Sequence, residues 1–107
     1  MTGSPSGADE LTAAVGKLVG QVSHWTPSRW AASSLSGLPR SDVVHDLVQW
    51  LADRAADAEG GPHREVPRLD NDLVLADQLR VVASDLVAAG AADAEAVARV
   101  TALRRAL

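Results

Sequence analysis

The sequence predicts an all-α domain built as a four-helix bundle, and three observations lead there. Leu and Val supply 13 residues each beside 20 Ala, with no Ile, Phe or Tyr, a composition that favours helix over strand. Apolar residues recur at helical spacing, and no run alternates cleanly with the period of two that marks a half-buried strand. Breaker clusters at Pro27, at Gly60-Gly61-Pro62 and at Gly90 divide the chain into four periodic segments. The simplest order for such segments is up-down-up-down.

The first segment predicts a helix from about Asp9 to Trp25, with Leu11, Val15, Leu18, Val22 and Trp25 on one stripe and Pro27 ending it. Gly16 and Gly20 have the GxxxG spacing that permits close helix packing. The second helix starts at Ser41 or Asp42, either of which can cap it. It turns Val44, Leu47, Val48, Leu51 and Ala55 inward before Gly60 stops it. A third begins among Asp70, Asn71 and Asp72, with Leu75, Leu79, Val82 and Leu86 on its core face and Gly90 as a left-handed C-terminal residue. The fourth and shortest starts from an Asp93 cap and presents Val97, Val100 and Leu107. The tight link from Gly90 to Asp93 predicts that the third and fourth helices are antiparallel neighbours. Residues 1–8 are expected to form a disordered tail and 9–107 a single domain, since 107 residues suit one core.

Composition excludes several classes of function. A net charge of −4 argues against a nucleic-acid partner, because phosphate binding rests on clustered Lys and Arg. Arg104 and Arg105 fall in the last helical turn, where cations complement the helix dipole. No apolar run approaches the roughly 20 residues that span a bilayer. Met1 to Asp9 lacks the basic and apolar regions of a signal peptide, so the expected compartment is cytoplasmic. With no Cys there is neither a disulfide nor a thiolate. One Lys against nine Arg points to a GC-rich, actinobacterial type of genome.

Candidate functional residues concentrate on the second and third helices. Winding the second at 100° per residue puts Asp42, Asp46, Asp53 and Asp57 on one edge with Trp50 beside them. Such an edge is either a solvated face or a surface for a basic partner or a hard cation. Trp50, at the margin of the apolar face, is either a plug over a small core or an interface anchor. Trp30, in the loop, reads as a plug. His24, His45 and His63 are the only histidines, and their spacing matches no metal motif. The pairs Asp42 with His45 and His45 with Gln49 have usable spacing, but Gln is a poor ligand. On the third helix Val74, Val81 and Ala88 recur every seven residues, apart from the core face, and predict a symmetric homodimer through that stripe.

Trp30, Gly37 and the run Asp42-Val43-Val44-x-x-Leu47 resemble the DinB-like superfamily, in particular the N-terminal domain of mycothiol-dependent maleylpyruvate isomerase-like proteins. The resemblance covers Leu11 to Leu51 and implies a DinB-like four-helix bundle; catalytic members hold a divalent metal on three His beside a thiol cofactor. Here the first ligand position falls on Asp46, with His45 displaced by one, and no His follows His63 to supply a downstream HxxxH.

The leading expectation is therefore a small non-catalytic module for protein interaction or self-association, with no cofactor. Its contact surface would comprise Asp46, Trp50, Asp53 and Asp57, with Val74 and Val81 for self-association. The alternative implied by the resemblance is a metal- and thiol-dependent transferase or isomerase, with zinc or nickel on His45, Asp46 and His24 or His63. A third reading is a small-ligand pocket under the Trp30 loop.

Overall fold

Helix α1 spans Gly7–Val22 and buries Leu11, Val15, Leu18, Val19 and Val22, the stripe expected from its 3.6-residue period. These coordinates are a computed structural model that describes residues 7–107. The expected tail at 1–8 falls outside the described residues up to position 6, and Gly7 and Ala8 belong to α1. The helix stops at Val22, three residues before the expected end, because Pro27 begins a helix rather than ending one. Thr26 is extended, its Oγ1 accepts the Arg29 backbone N–H, and Pro27 occupies the first turn of α2, Pro27–Ala31. That is the usual pairing of a Thr cap with a Pro whose missing N–H costs nothing there. Helix α2 delivers Trp30 into the core, fully buried and edge-on to Trp25 with ring centroids 5.0 Å apart.

Helix α3 runs Arg40–Glu59 and buries Val44, Leu47, Val48, Leu51 and Ala55. The expected caps are absent: Pro39 precedes the helix without a side-chain bond, Ser41 is buried inside it, and Asp42 lies in its first turn. Gly60, at φ 73°, ends it as anticipated, since only glycine takes that conformation without strain. Asn71 caps a 3-10 turn at Asp72–Val74, which leads into α4, Leu75–Ala88. Helix α5, Ala94–Ala106, starts where Asp93 Oδ1 accepts the Ala96 N–H at 2.9 Å. Val100 and Ala96 are its buried residues, with Val97 and Leu107 half-buried beside them.

The four long helices form a bundle whose neighbours are α3–α4, α4–α1, α1–α5 and α5–α3. Their directions follow from side-chain contacts. Gln21 donates to the Arg104 carbonyl at 3.5 Å, and Gly7 abuts the Ala92 backbone, so α1 and α5 run parallel. Arg54 reaches Asp93 and Glu95 while Leu47 lies against Leu103, so α3 and α5 are antiparallel. Arg68 bridges Asp42 and Asp72, and Asp85 shares a cleft with Ala52, Ala55 and Ala56, so α3 and α4 are parallel neighbours.

Two expectations are corrected here. The order is not up-down-up-down, because the link 60–71 travels back along the bundle before α4 begins. Helices α4 and α5 are antiparallel but diagonal rather than adjacent: after the left-handed Gly90 turn closes the end of α4, the chain runs to an extended Asp93 and crosses the bundle end before α5 begins. Gly16 and Gly20 are also exposed with open space around them, so neither serves close packing; Gly7 does, since an added Cβ would strike the Ala92 carbonyl. Among the described residues no helix is long and apolar enough to cross a membrane.

The core rests on few large side chains, so Trp30→Ala should cost about 3–5 kcal/mol, the range for emptying a buried aromatic site. Urea unfolding checks this; a loss below about 1 kcal/mol would show that α2 is peripheral to the core.

Candidate interaction site

Parallel placement of α3 and α4 leaves a groove between them, and residues 62–68 lie along it as a strap. Strap backbone joins no helix ladder, and where it meets the helices, around half-buried Val66, its polar groups pair with side chains. Gln49 supplies three bonds: its Nε2 donates to the Arg64 carbonyl at 3.0 Å and to Asp53 Oδ1 at 2.9 Å, and its Oε1 accepts the Val66 N–H at 2.7 Å. One turn earlier His45 Nε2 donates to the Val66 carbonyl at 3.1 Å, and from α4 Gln78 donates to the Pro67 carbonyl. Arg68 pins the far end through Asp42 at 3.1 Å and Asp72 at 3.5 Å.

His63 pins the near end. Its Nε2 donates to Asp57 Oδ1 at 2.6 Å, and Nδ1 lies 3.7 Å from Asp53. The hydrogen bond to Asp57 raises the His63 pKa above the ordinary 6.5; the charges of Asp53 and Asp57 add to the rise and desolvation opposes it.

The acidic edge of α3 is thus divided among internal partners. Asp42 goes to Arg68, and Asp53 and Asp57 go to His63. Asp46 is exposed, in a cleft between α3 and α5 beside Trp50 and Arg99. Trp50 is half-buried between two guanidinium groups, Arg54 at 5.0 Å and Arg99 at 4.6 Å from its ring centroid. Arg54 is in turn held by Asp93 and by Glu95 at 2.9 Å. Both of these cation contacts come from arginines of its own chain, as they would for a plug.

The candidate metal ligands are dispersed. His45 is committed to the strap near the start of α3, whereas His63 sits by Asp57, about 18 Å further along at 1.5 Å per residue. His24 lies exposed in the turn after α1, and Asp46 diverges from His45. Among the described residues no group of three or more His, Cys, Asp or Glu side chains converges. The divalent metal and thiol site implied by the family resemblance does not fit these residues, and no chemistry is derived through it. Trp30 itself is fully buried, and a cleft of about 530 Å³ opens beneath the strap, lined by Ala52, Ala55, Ala56, Glu59, Arg64 and Asp85 among others.

The stripe on α4 remains. Val81 is 59% exposed, the 3-10 turn adds Leu73 at 47%, and Val74 is half-buried. Val66 of the strap packs beside Val74, Val81 and Val82 to form a shallow apolar groove that also includes Asp77 and Gln78. Sequence reasoning weighed Gln49 only as a weak metal ligand beside His45 and missed its role, and those of Arg68 and Gln78, in a strap that no periodicity announces. The spacing of Gln49 from Asp53 was the one visible signal.

With no family model, curated protein or solved structure matching the chain, the residues and their geometry carry the functional reading.

Two outcomes follow from the strap. Gln49→Ala strands the Val66 N–H and should cost about 1–3 kcal/mol, measured by urea unfolding; a neutral result would mean that water serves those groups equally well. Because the folded pKa of His63 is raised, its stabilisation is fully present below 6.5 and is lost as pH rises through the folded value. The Tm gap between wild type and His63→Gln should therefore narrow from about pH 5.5 to about pH 9. A gap that widens over that window contradicts the assignment.

Proposed function

We propose that this protein is a non-catalytic protein-interaction module whose contact surface is the outer face of α4. The observation that carries this reading is Val81, 59% exposed on a helix whose other large apolar residues are packed, at the centre of a groove completed by Val66 and Val74. Single exposed hydrophobic residues are commonplace, but a contiguous apolar strip marks a place where something docks. The acidic edge and Trp50 contribute less than expected, because internal partners hold Asp42, Asp53 and Asp57 and two arginines cover the indole. The DinB-like resemblance enters as a scaffold only: its metal-bearing positions here serve the strap or face solvent.

The test compares wild type with Val81→Glu by solution scattering across a concentration series and by cross-linking in extracts of the cells that make the protein. Val81 is exposed, so the substitution should leave the fold intact, with a stability change within about 0.5 kcal/mol. A complex or larger mass that the variant loses is the expected outcome. Identical species for both proteins would exclude α4 as the contact face.

A further inference from the structure

From the charges around this groove we infer that its occupant is a basic amphipathic helix of a partner protein, not a second copy of this chain. The inference rests on the reading of α4 as the contact face and adds the chemistry of what docks there. On the helical wheel Asp77 and Asp85 lie about 40° to either side of Val81, one turn before it and one turn after. The valine stripe therefore runs between carboxylates on both flanks. Asp77 projects outward, its side chain 80% exposed, and meets only Arg80 at 3.7 Å. Asp85 is exposed as well, on the side of the strap cleft that it lines together with Arg64 and Glu65. Arg68, the strap cation nearest the start of α4, is already held by Asp42 and Asp72.

Self-pairing through this face brings like charges together in either orientation. An antiparallel two-fold pair centred on Val81 sets Asp77 of one copy level with Asp85 of the other, across the valine stripe. A parallel pair sets each carboxylate against its own equivalent. Juxtaposed like charges select against a partner, whereas opposite charges set register and speed encounter. The complement of a valine strip between carboxylates is a helix with apolar residues at i, i+3, i+4 and i+7 and Lys or Arg on both margins. Such a helix lays its apolar face into a groove and pairs its flanking cations with the rim.

The full chain, isotopically labelled, is titrated with a helical peptide carrying Leu at heptad positions a and d and Lys elsewhere, and with the same peptide carrying Glu in place of Lys. The lysine peptide should shift the amides of Val74, Asp77 and Val81. Its Kd should weaken by about tenfold in the Asp77→Asn/Asp85→Asn protein and by at least as much in Val81→Ser, and the glutamate peptide should not bind. Equal binding of both peptides at this face would overturn the basic-partner inference while leaving α4 as the contact surface. Shifts elsewhere, or an affinity indifferent to these variants, would overturn the inference as attraction to net charge alone. A wild-type dimer that Val81→Glu converts to monomer would also overturn it and keep the face, with a second copy as the occupant.

Discussion

Two neighbouring helices of one chain can run parallel only if the connection between them returns the full length of the first, and α3 and α4 obey that constraint. The return is made by extended backbone whose N–H and C=O groups have no helix to pair with. Where those groups turn from water toward the helices, each one left unpaired would cost about 1–3 kcal/mol. Gln49, His45 and Gln78 meet the requirement from three positions on two helices, and Arg68 and His63 fix the two ends. The position of α4, and so the face it turns outward, depends on this row of polar contacts.

A second constraint is the shortage of large side chains. The only aromatic residues are three tryptophans, and alanine is the commonest residue. The bundle uses them as rigid pieces at its corners. Trp25 and Trp30 meet edge to face, and Arg29 and Arg40 cover the outer surface of Trp25 at 5.6 and 4.9 Å. Trp50 is covered likewise by Arg54 and Arg99. Each guanidinium packs its planar group against an indole ring at the margin of the core, so arginine extends a small core outward. The same economy explains why a tryptophan that resembled a binding anchor is internally occupied.

Charge and shape together define what remains for an external partner. Much of the acidic surface is consumed by the strap and by the Arg54 cluster, and a cleft lies beneath the strap. The outer face of α4 differs: its valines are uncovered and its carboxylates flank them on both sides. A helix held in place by internal polar contacts, with an apolar outer stripe, is preorganised for docking, since little ordering remains to oppose association.

The amino-acid sequence alone determined the helical class, the end signals at Gly60, Gly90 and Asp93, and most of the core residues. Gly60, Gly90 and Asp93 act as read, because capping is a local matter of φ and of one side-chain oxygen. The buried faces of α1, α3 and α4 are legible for the same reason: periodicity is intrinsic to a helix. Thr26-Pro27-Ser28-Arg29 carried a start signal that a reading of Pro as a terminator obscured. Only the tertiary structure decided that α3 and α4 run parallel, that α4 and α5 lie diagonally, and that Asp53, Asp57 and Gln49 serve a strap. Those outcomes depend on the path of residues 60–71, which carries no periodic pattern, and on partners such as Arg68 and Asp42 that lie far apart in the chain.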